Sequence, residues 1–231
     1  MNHRNYTLAL EAATYQGSVA LIRDDEVVSE RTISGADGGK PRAGRGEQLM
    51  PAIEECLNEA GVRGREAIGR IVCGAGPGSF TSLRVAGSVA KGLAAGYGVE
   101  LFAVPSLALT VTGAKPPLPS GEYLSVLDAM RGEFFAARVE LSLDPAGFRI
   151  EPAILMSEER LEAFNGRDRG IRVVGPGQEI DAHPHARGVA HILEAILASG
   201  PVDLASWEPN YGRLAEAQVK WEATHGRPLG A

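Results

Sequence analysis

The sequence predicts an α/β fold made of two lobes. Three strands separated by short turns open the chain, and a helix, a strand, a helix and a strand follow them as far as residue 104. The segment 115–121 (KPPLPSG) interrupts this pattern, and a second series of strands begins after it. Strands and helices on both sides of such a break are typical of two packed α/β lobes.

Each element of the first lobe has a local signal. The opening strands are largely apolar, and Asp24-Asp25 forms a tight turn between two of them. Apolar residues recur at helical spacing over 47–60, and a second helix follows an N-cap at Ser79. The segment 36–46 lacks periodicity and is expected to be a mobile surface loop. The predicted strands of this lobe lie at 6–12, 17–23, 26–33, 68–73 and 100–104.

The second lobe is expected to contain similar elements. Its predicted strands lie at 123–128, 133–141, 149–155 and 171–174, and its predicted helices at 106–112, 158–164 and 185–197. The tail at 214–224 is helical in pattern and is expected to pack back on the first lobe. We therefore expect domain boundaries at 1–105, 106–205 and 206–231. The order of elements from residue 6 to residue 104 resembles the ribonuclease-H-like lobe that occurs twice in the actin-like ATPase fold (ASKHA), so we expect that fold.

Composition excludes several classes of function. The chain has 231 residues and a formal net charge of -6, and an acidic chain without a basic stripe is poorly suited to hold nucleic acid by itself. No apolar run is long enough to span a membrane, and no signal-peptide core is present, so we expect a cytoplasmic protein. Cys56 and Cys73 lie within apolar patterns, which favours buried reduced thiols over a disulfide or a metal site.

A glycine-rich turn, residues 74–79 (GAGPGS), precedes the second helix. It differs from a dinucleotide-binding loop because Ser79 stands in place of the last glycine, and it lacks the Gly-Lys-Ser/Thr ending of a Walker loop. It is not a nucleophile elbow either, since Pro77 occupies the position of the first glycine. The turn therefore carries no side chain of a known catalytic loop.

The helix after this turn carries two rows of small residues. One row consists of Ala86, Ala90 and Ala94, and the other of Ser88, Gly92 and Gly96. A helix with so few charged residues has too narrow a polar face to lie half exposed on a surface. Either its own domain buries it, or one of its faces is left for another protein chain.

Two carboxylates are candidates for a metal or nucleotide site. Glu11 ends the first strand and Asp128 ends the first strand of the second lobe. We expect both at the crevice between the lobes, where such folds hold magnesium and phosphates, although each could equally be a solvated acid at a strand end. His183, His185 and His191 lack metal-ligand spacing, and the segment 181–185 is expected to be a solvated surface turn.

The glycine turn and the helix after it resemble a known family. Residues 76–81 (GPGSFT), 83–85 (LRV) and 90–94 (AKGLA) are similar to the signature of the TsaB (YeaZ) family, which has a Gcp-like, peptidase M22-like domain. Further matches lie at 10–14, 47–51, 104–107, 127–129, 132–133, 208–209 and 211. The motif of the turn consists of Gly76, Pro77, Gly78, Ser79 and Thr81.

The resemblance implies an accessory role in tRNA modification. Members of this family are required, without catalytic residues of their own, for threonylcarbamoyladenosine formation at the adenosine beside the anticodon. The resemblance implies a heterodimer with the catalytic subunit TsaD, which TsaE joins, and a possible homodimer in isolation. It implies no cofactor for this chain alone, ATP and magnesium only in the complex, and contact with tRNA only through the complex.

The resemblance also indicates which helices meet the partner. The first two helices of the family form a helix bundle with TsaD or with a second copy. The residues expected at this contact are Leu49, Ile53, Leu57, Phe80, Leu83, Arg84, Ala86, Gly87, Ala90, Lys91 and Ala94.

Several residues depart from the family pattern. Glu11 replaces the usual aspartate, Ser82 replaces a glycine, and Arg45-Gly46 precede Glu47 where a His-Ser pair is common. Two other classes of function stay open at this point. One is a magnesium-dependent kinase or weak ATPase that uses Glu11 and Asp128, and the other is a metallopeptidase, against which the missing ligand spacing argues.

Overall fold

The computed structural model describes residues 5–33, 46–63, 65–143, 146–167, 170–213 and 224. The predicted loop at 36–46, apart from Gly46, and the predicted helical tail at 214–224, apart from Thr224, lie outside these residues. The side chain of Glu47 also lies outside the described part of the chain.

The first lobe is a five-stranded sheet covered by helices. Its elements are β1 (Tyr6–Glu11), β2 (Gly17–Arg23), β3 (Glu26–Ile33), α1 (Gly46–Glu59), β4 (Ile68–Gly74), α2 (Phe80–Tyr97) and β5 (Glu100–Val104). The sheet order is β3-β2-β1-β4-β5, with β1 to β3 antiparallel and β4 and β5 parallel to β1. Fully buried side chains such as Leu8 and Leu101 each contribute about 1.5–3 kcal/mol by leaving water.

The second lobe repeats this arrangement. Its elements are α3 (Ser106–Thr112), β6 (Gly121–Asp128), β7 (Glu133–Leu143), β8 (Ala146–Ile150), β9 (Ile154–Ser157), α4 (Glu158–Arg167), β10 (Arg172–Gly175), β11 (Ile180–Asp181) and α5 (Leu193–Ala198). The sheet order is β11-β10-β6-β7-β8, in which β6 to β8 are antiparallel and β10 and β11 continue parallel to β6. The same strand order in both sheets confirms the two-lobed, ribonuclease-H-like fold of the actin-like class.

Two predictions for the second lobe were wrong, one about a strand and one about a helix. The single strand expected at 149–155 is divided into β8 and β9, which lie along the same edge of β7. Between them, residues 151–153 oppose only Ala137 and Arg138, and Pro152 cannot donate a ladder hydrogen bond, so the chain bulges there. The helix expected at 185–197 is a 3-10 helix, Ala186–Ile192, followed by the shorter α5.

The two lobes share one core around α3. Every residue of α3 is buried, and Ala108, Leu109 and Val111 belong to one core cluster. The same cluster contains Val72 and Phe102 of the first sheet and Tyr123 and Val139 of the second. The base of the crevice between the sheets is therefore filled by a helix. Among the helices that the structure describes, none is long and apolar enough to cross a membrane.

Candidate functional site

The glycine turn is fixed by main-chain contacts to neighbouring strand ends. Gly76 N donates to Ser106 Oγ at 3.0 Å, and Ser106 N donates back to Gly76 O at 2.9 Å. Ser79 N donates to Ala13 O at 2.7 Å, and α2 begins with the next residue, Phe80. The turn thus holds the N-terminus of α2 against the end of β1 and the start of α3.

Glu11 lies beneath this turn with no exposed surface. Its Oε1 accepts a hydrogen bond from Ala13 N at 2.5 Å, and its Oε2 accepts one from Ser106 Oγ at 2.9 Å. Burial raises the pKa of the Glu11 carboxyl to about 7, against the opposing effect of these hydrogen bonds. A Cβ on Gly74 would collide with the carboxyl group, so glycine is required for this close approach. The carboxyl group is therefore enclosed between the end of β1, the glycine turn and the first residue of α3.

Asp128 has different surroundings. It is exposed, and its Oδ1 accepts a hydrogen bond from Met130 N at 2.6 Å at the start of the β6–β7 turn. The expectation that Glu11 faces an open crevice was therefore wrong, because its carboxyl group is enclosed, whereas Asp128 is exposed and also stabilises a local turn. Across the described ranges, no three His, Cys, Asp or Glu side chains are grouped so that they could hold a metal ion.

Apolar side chains occupy the crevice between the ends of β1 and β6. The cluster combines residues of the first lobe with residues of the second, and its buried members are Ala13, Leu83, Leu107, Leu127, Ala129, Phe135 and Ala137. Tyr211, near the end of the described chain, packs against the same cluster. In open α/β folds this crevice at the carboxyl ends of strands is where ligands bind, and here side chains take up that space.

Residues 207–213, which we call the strap, run from α2 across the glycine turn to β7. Pro209 Cγ lies 3.0 Å from the position that a Cβ would take on Gly87 of α2. Asn210 N donates to Ala75 O in the turn at 2.7 Å. At its end, Arg213 pairs with Glu133 of β7. The strap is extended rather than helical and connects both lobes.

Helix α2 turns its alanine row inward. Ala86, Ala90 and Ala94 pack on the first sheet in one core cluster with Leu49 and Ile53 of α1. Leu83 is buried in the crevice cluster, and Gly87 lies under the strap. These seven predicted contact residues are thus enclosed by the chain itself, because the alanine row allows the helix to approach the sheet closely. Any partner contact of α1 and α2 must use their outer faces.

The outer face of α2 carries the second row of small residues. Ser88 and Gly92 are exposed with Ala95 and Gly96, and a Cβ added at Gly92 or Gly96 would meet no atom within 4 Å. Three of the remaining predicted contact residues lie at or near the surface. Phe80 is 37% exposed, and the guanidinium carbon of the exposed Arg84 lies 5.4 Å from the centre of its ring. Leu57 is half-buried. Lys91 Nζ, the last, donates to Trp207 O at 3.0 Å.

His185 was predicted wrongly as part of a solvated turn. The side chain is buried and lies between the lobes, where its Nε2 is 3.1 Å from Thr32 Oγ1 of β3. Its Nδ1 accepts hydrogen bonds from Arg187 N at 3.1 Å and Arg187 Nε at 3.0 Å, which leaves the ring proton on Nε2. Arg187 Nε also pairs with Glu30 at 2.8 Å. Burial, followed by the Arg187 charge, lowers the pKa of His185 to about 4.

The remaining candidates have no reactive character. His183 and His191 are exposed. Cys56 and Cys73 are free and buried, and burial raises the pKa of both thiols, which suppresses the reactive thiolate.

Comparisons with known proteins agree on one family. A family model described as "TsaD: tRNA N6-adenosine threonylcarbamoyltransferase" matches residues 42–157, half of the chain. A Bacillus subtilis (strain 168) protein named "tRNA threonylcarbamoyladenosine biosynthesis protein TsaB" is 24% identical over 233 residues, which cover 93% of this chain and 96% of that protein. An Escherichia coli (strain K12) protein of the same name is 29% identical over 133 residues, 58% of this chain and 54% of that protein.

A solved structure supports the same assignment over nearly the full length. The structure "YeaZ from Pseudomonas aeruginosa" superposes with a TM-score of 0.73 at 26% sequence identity, covering 90% of this chain and 99% of that one. The match spans both lobes, which share the repeated strand order described above. From the motif, the relatives and the fold together, this chain belongs to the TsaB (YeaZ) family.

Proposed function

We propose that this chain is the non-catalytic subunit required for threonylcarbamoyl modification of tRNA at the adenosine beside the anticodon. It acts by forming a heterodimer with the catalytic subunit TsaD, which TsaE joins. The assignment to this tRNA modification is supported by the names of the relatives, which are threonylcarbamoyladenosine biosynthesis proteins. The observation that carries the accessory role is the crevice, which is filled by the chain's own apolar side chains where a catalytic relative would need space for its ligand.

The state of the two carboxylates supports this reading. A magnesium site needs oxygen ligands that are open to the ion and its waters. Both oxygens of the fully buried Glu11 already accept hydrogen bonds, one from Ala13 N and one from Ser106 Oγ, and Asp128 stabilises its own turn. The proposal accordingly requires no cofactor of this chain alone and assigns any ATP and magnesium to the complex.

The outer faces of α1 and α2 are the surface that we assign to the partner. Small side chains allow a partner helix to approach α2 closely, and the distance between packed helices depends on the side chains at the contact. On α1, Met50 is also exposed and offers apolar surface. An interface of ordinary size would bury roughly 800 Å² on each partner, with an apolar centre.

The charge of the chain fits an indirect role toward RNA. With a formal net charge of -6 the subunit has little capacity to neutralise phosphates, so the tRNA is held by the complex. We expect the chain to work in the cytoplasm.

The test is pairing with TsaD from the same organism, followed by sedimentation velocity of the mixed proteins. We expect the wild type to form a heterodimer at micromolar concentration. Gly92→Glu should abolish pairing because it places a charge on the outer face of α2, where the added side chain meets no atom of its own chain. Gly147→Glu is the matched control, since it adds the same charge at an open glycine on β8 of the second lobe.

Two results would count against the proposal. If the wild-type chain formed no heterodimer with TsaD, the proposed accessory role would be contradicted. Equal pairing by Gly92→Glu and Gly147→Glu would show that the outer face of α2 is not the contact. A second copy of this chain could use the same face, and a wild-type homodimer that Gly92→Glu dissolves would agree with the assignment.

A further inference from the structure

We propose that the strap is a latch: it holds the crevice between the lobes closed, and it attaches the N-terminal half of α2 to the second lobe. The strap contains Glu208-Pro209 and Tyr211, which belong to the family resemblance but have no part in the proposed partner contact. The inference rests on contacts within this chain and does not depend on the identity of any partner.

The first part of the strap binds α2. Lys91 Nζ donates to Trp207 O at 3.0 Å, and Pro209 packs where Gly87 leaves room for it. The Tyr211 ring lies on the first residue of the helix, with its centroid 4.5 Å from that of Phe80. The strap therefore contacts α2 over about three turns, from Phe80 to Lys91.

The second part binds the glycine turn and β7. A Cβ on Gly212 would collide with the Phe135 ring of β7 and with Pro77 of the turn, so the main chain of the strap fills the space between the lobes. Gly212 also has a φ of +70°, a conformation that side chains disfavour. Beyond it, Arg213 pairs with Glu133, which lies in the second lobe.

These contacts make the strap a mechanical connection between elements that are far apart in sequence. The shared core around α3 joins the lobes at the base of the crevice, so a rotation that opened the crevice would pivot about that core. The strap joins the lobes at the strand ends, where a hinge motion would separate Leu83 and Ala13 from Leu127 and Phe135. Releasing the strap removes one connection and leaves the hinge in place.

Hydrogen exchange of the full chain, followed by mass spectrometry, tests this inference. Gly212→Val expels the strap by steric collision, and Tyr211→Ala is a milder second variant that removes the ring packed on Phe80 and the crevice cluster. Arg172→Ala is the control, since it breaks an exposed ion pair with Glu179 elsewhere in the second lobe. We expect exchange in segments 75–83 and 127–137 to accelerate about tenfold, with the β1–β2 ladder unchanged.

The outcomes separate clearly. Faster exchange in both crevice segments, with a control like the wild type, supports the latch. Acceleration confined to 207–213 would overturn it, because the strap would then leave without opening the lobes. Equal acceleration throughout, including the β1–β2 ladder, would also overturn it, since the strap would be a general stabilising contact. If Gly212→Val does not fold, Tyr211→Ala decides by the same criteria.

Discussion

At the scale of single residues, the buried carboxyl of Glu11 gives the protein a measurable pH dependence. Its pKa is about 7 in the folded chain and 4.5 as the ordinary value, so the folded state retains a proton that the unfolded state loses between these values. The contribution is therefore fully present below pH 4.5 and is lost as the pH rises through 7. The loss amounts to roughly 3 kcal/mol by pH 8.

We predict that Glu11→Gln removes this loss. Urea unfolding is compared at pH 5 and pH 8. Between these values the wild type should lose roughly 2.5 kcal/mol of unfolding free energy more than the variant, because part of the loss has already occurred at pH 5. Glu122→Gln makes the same substitution at an exposed carboxyl on the start of β6 and is the control. Identical profiles for the wild type and Glu11→Gln would mean that the carboxyl is not sealed.

His185 has the opposite pH dependence. Its pKa falls from 6.5 to about 4 on folding, so its contribution is fully present above pH 6.5 and is lost as the pH falls through 4. His185→Asn keeps an acceptor for Arg187 N but cannot titrate. Unfolding at pH 7 and pH 4 should show the wild type losing roughly 3 kcal/mol more than the variant. A difference between the two proteins that does not change with pH would contradict this prediction.

The position of His185 also shows where sequence reasoning fails at this scale. A histidine after a proline, between two other histidines, has the local pattern of a surface turn. It is buried because Thr32 and Ser18, about 150 residues earlier in the chain, supply hydrogen-bond partners for His185 and for Ala186 N. No local signal encodes that contact. Glu11 was misjudged for a similar reason, because its burial depends on Gly74 and Ser106.

At the scale of elements, α2 has two rows of small residues with different roles. Periodicity predicts both rows, since they follow from helical spacing alone. It cannot tell which row packs inward, because alanine and glycine are compatible with either a close internal contact or an open surface. The structure assigns the alanines to the core and leaves Gly92 and Gly96 open.

This assignment predicts that a glutamate introduced into the alanine row and a glutamate introduced into the outer row change the unfolding free energy differently. Ala90→Glu buries an unpaired carboxylate and should lower the unfolding free energy by at least about 3 kcal/mol or prevent folding. Gly92→Glu should leave the free energy unchanged or raise it by up to about 1 kcal/mol, because glycine is a poor helix former. Thermal unfolding by circular dichroism compares them. Equal destabilisation of both would contradict the assignment of the faces.

At the scale of the whole molecule, the fold was predictable and the content of the crevice was not. Local patterns of apolar residues and turns predict the element order of the first lobe. In the second lobe they missed β11 and did not divide β8 from β9. The strap has no periodicity, and its role depends on Phe135 and Leu83, which belong to different lobes. The apolar packing of the crevice is therefore a tertiary feature, and the proposal of an accessory role rests on it.

The measurement that tests the central claim most directly is threonylcarbamoyl transfer to tRNA in a system reconstituted from TsaD, TsaE and this chain. We predict that omitting the chain abolishes modification and that Asp128→Asn supports it within about twofold of the wild type, whereas loss of a catalytic acid or base costs about 100-fold or more. Full modification without the chain, or its loss with an Asp128→Asn variant that still pairs with TsaD, would contradict the account.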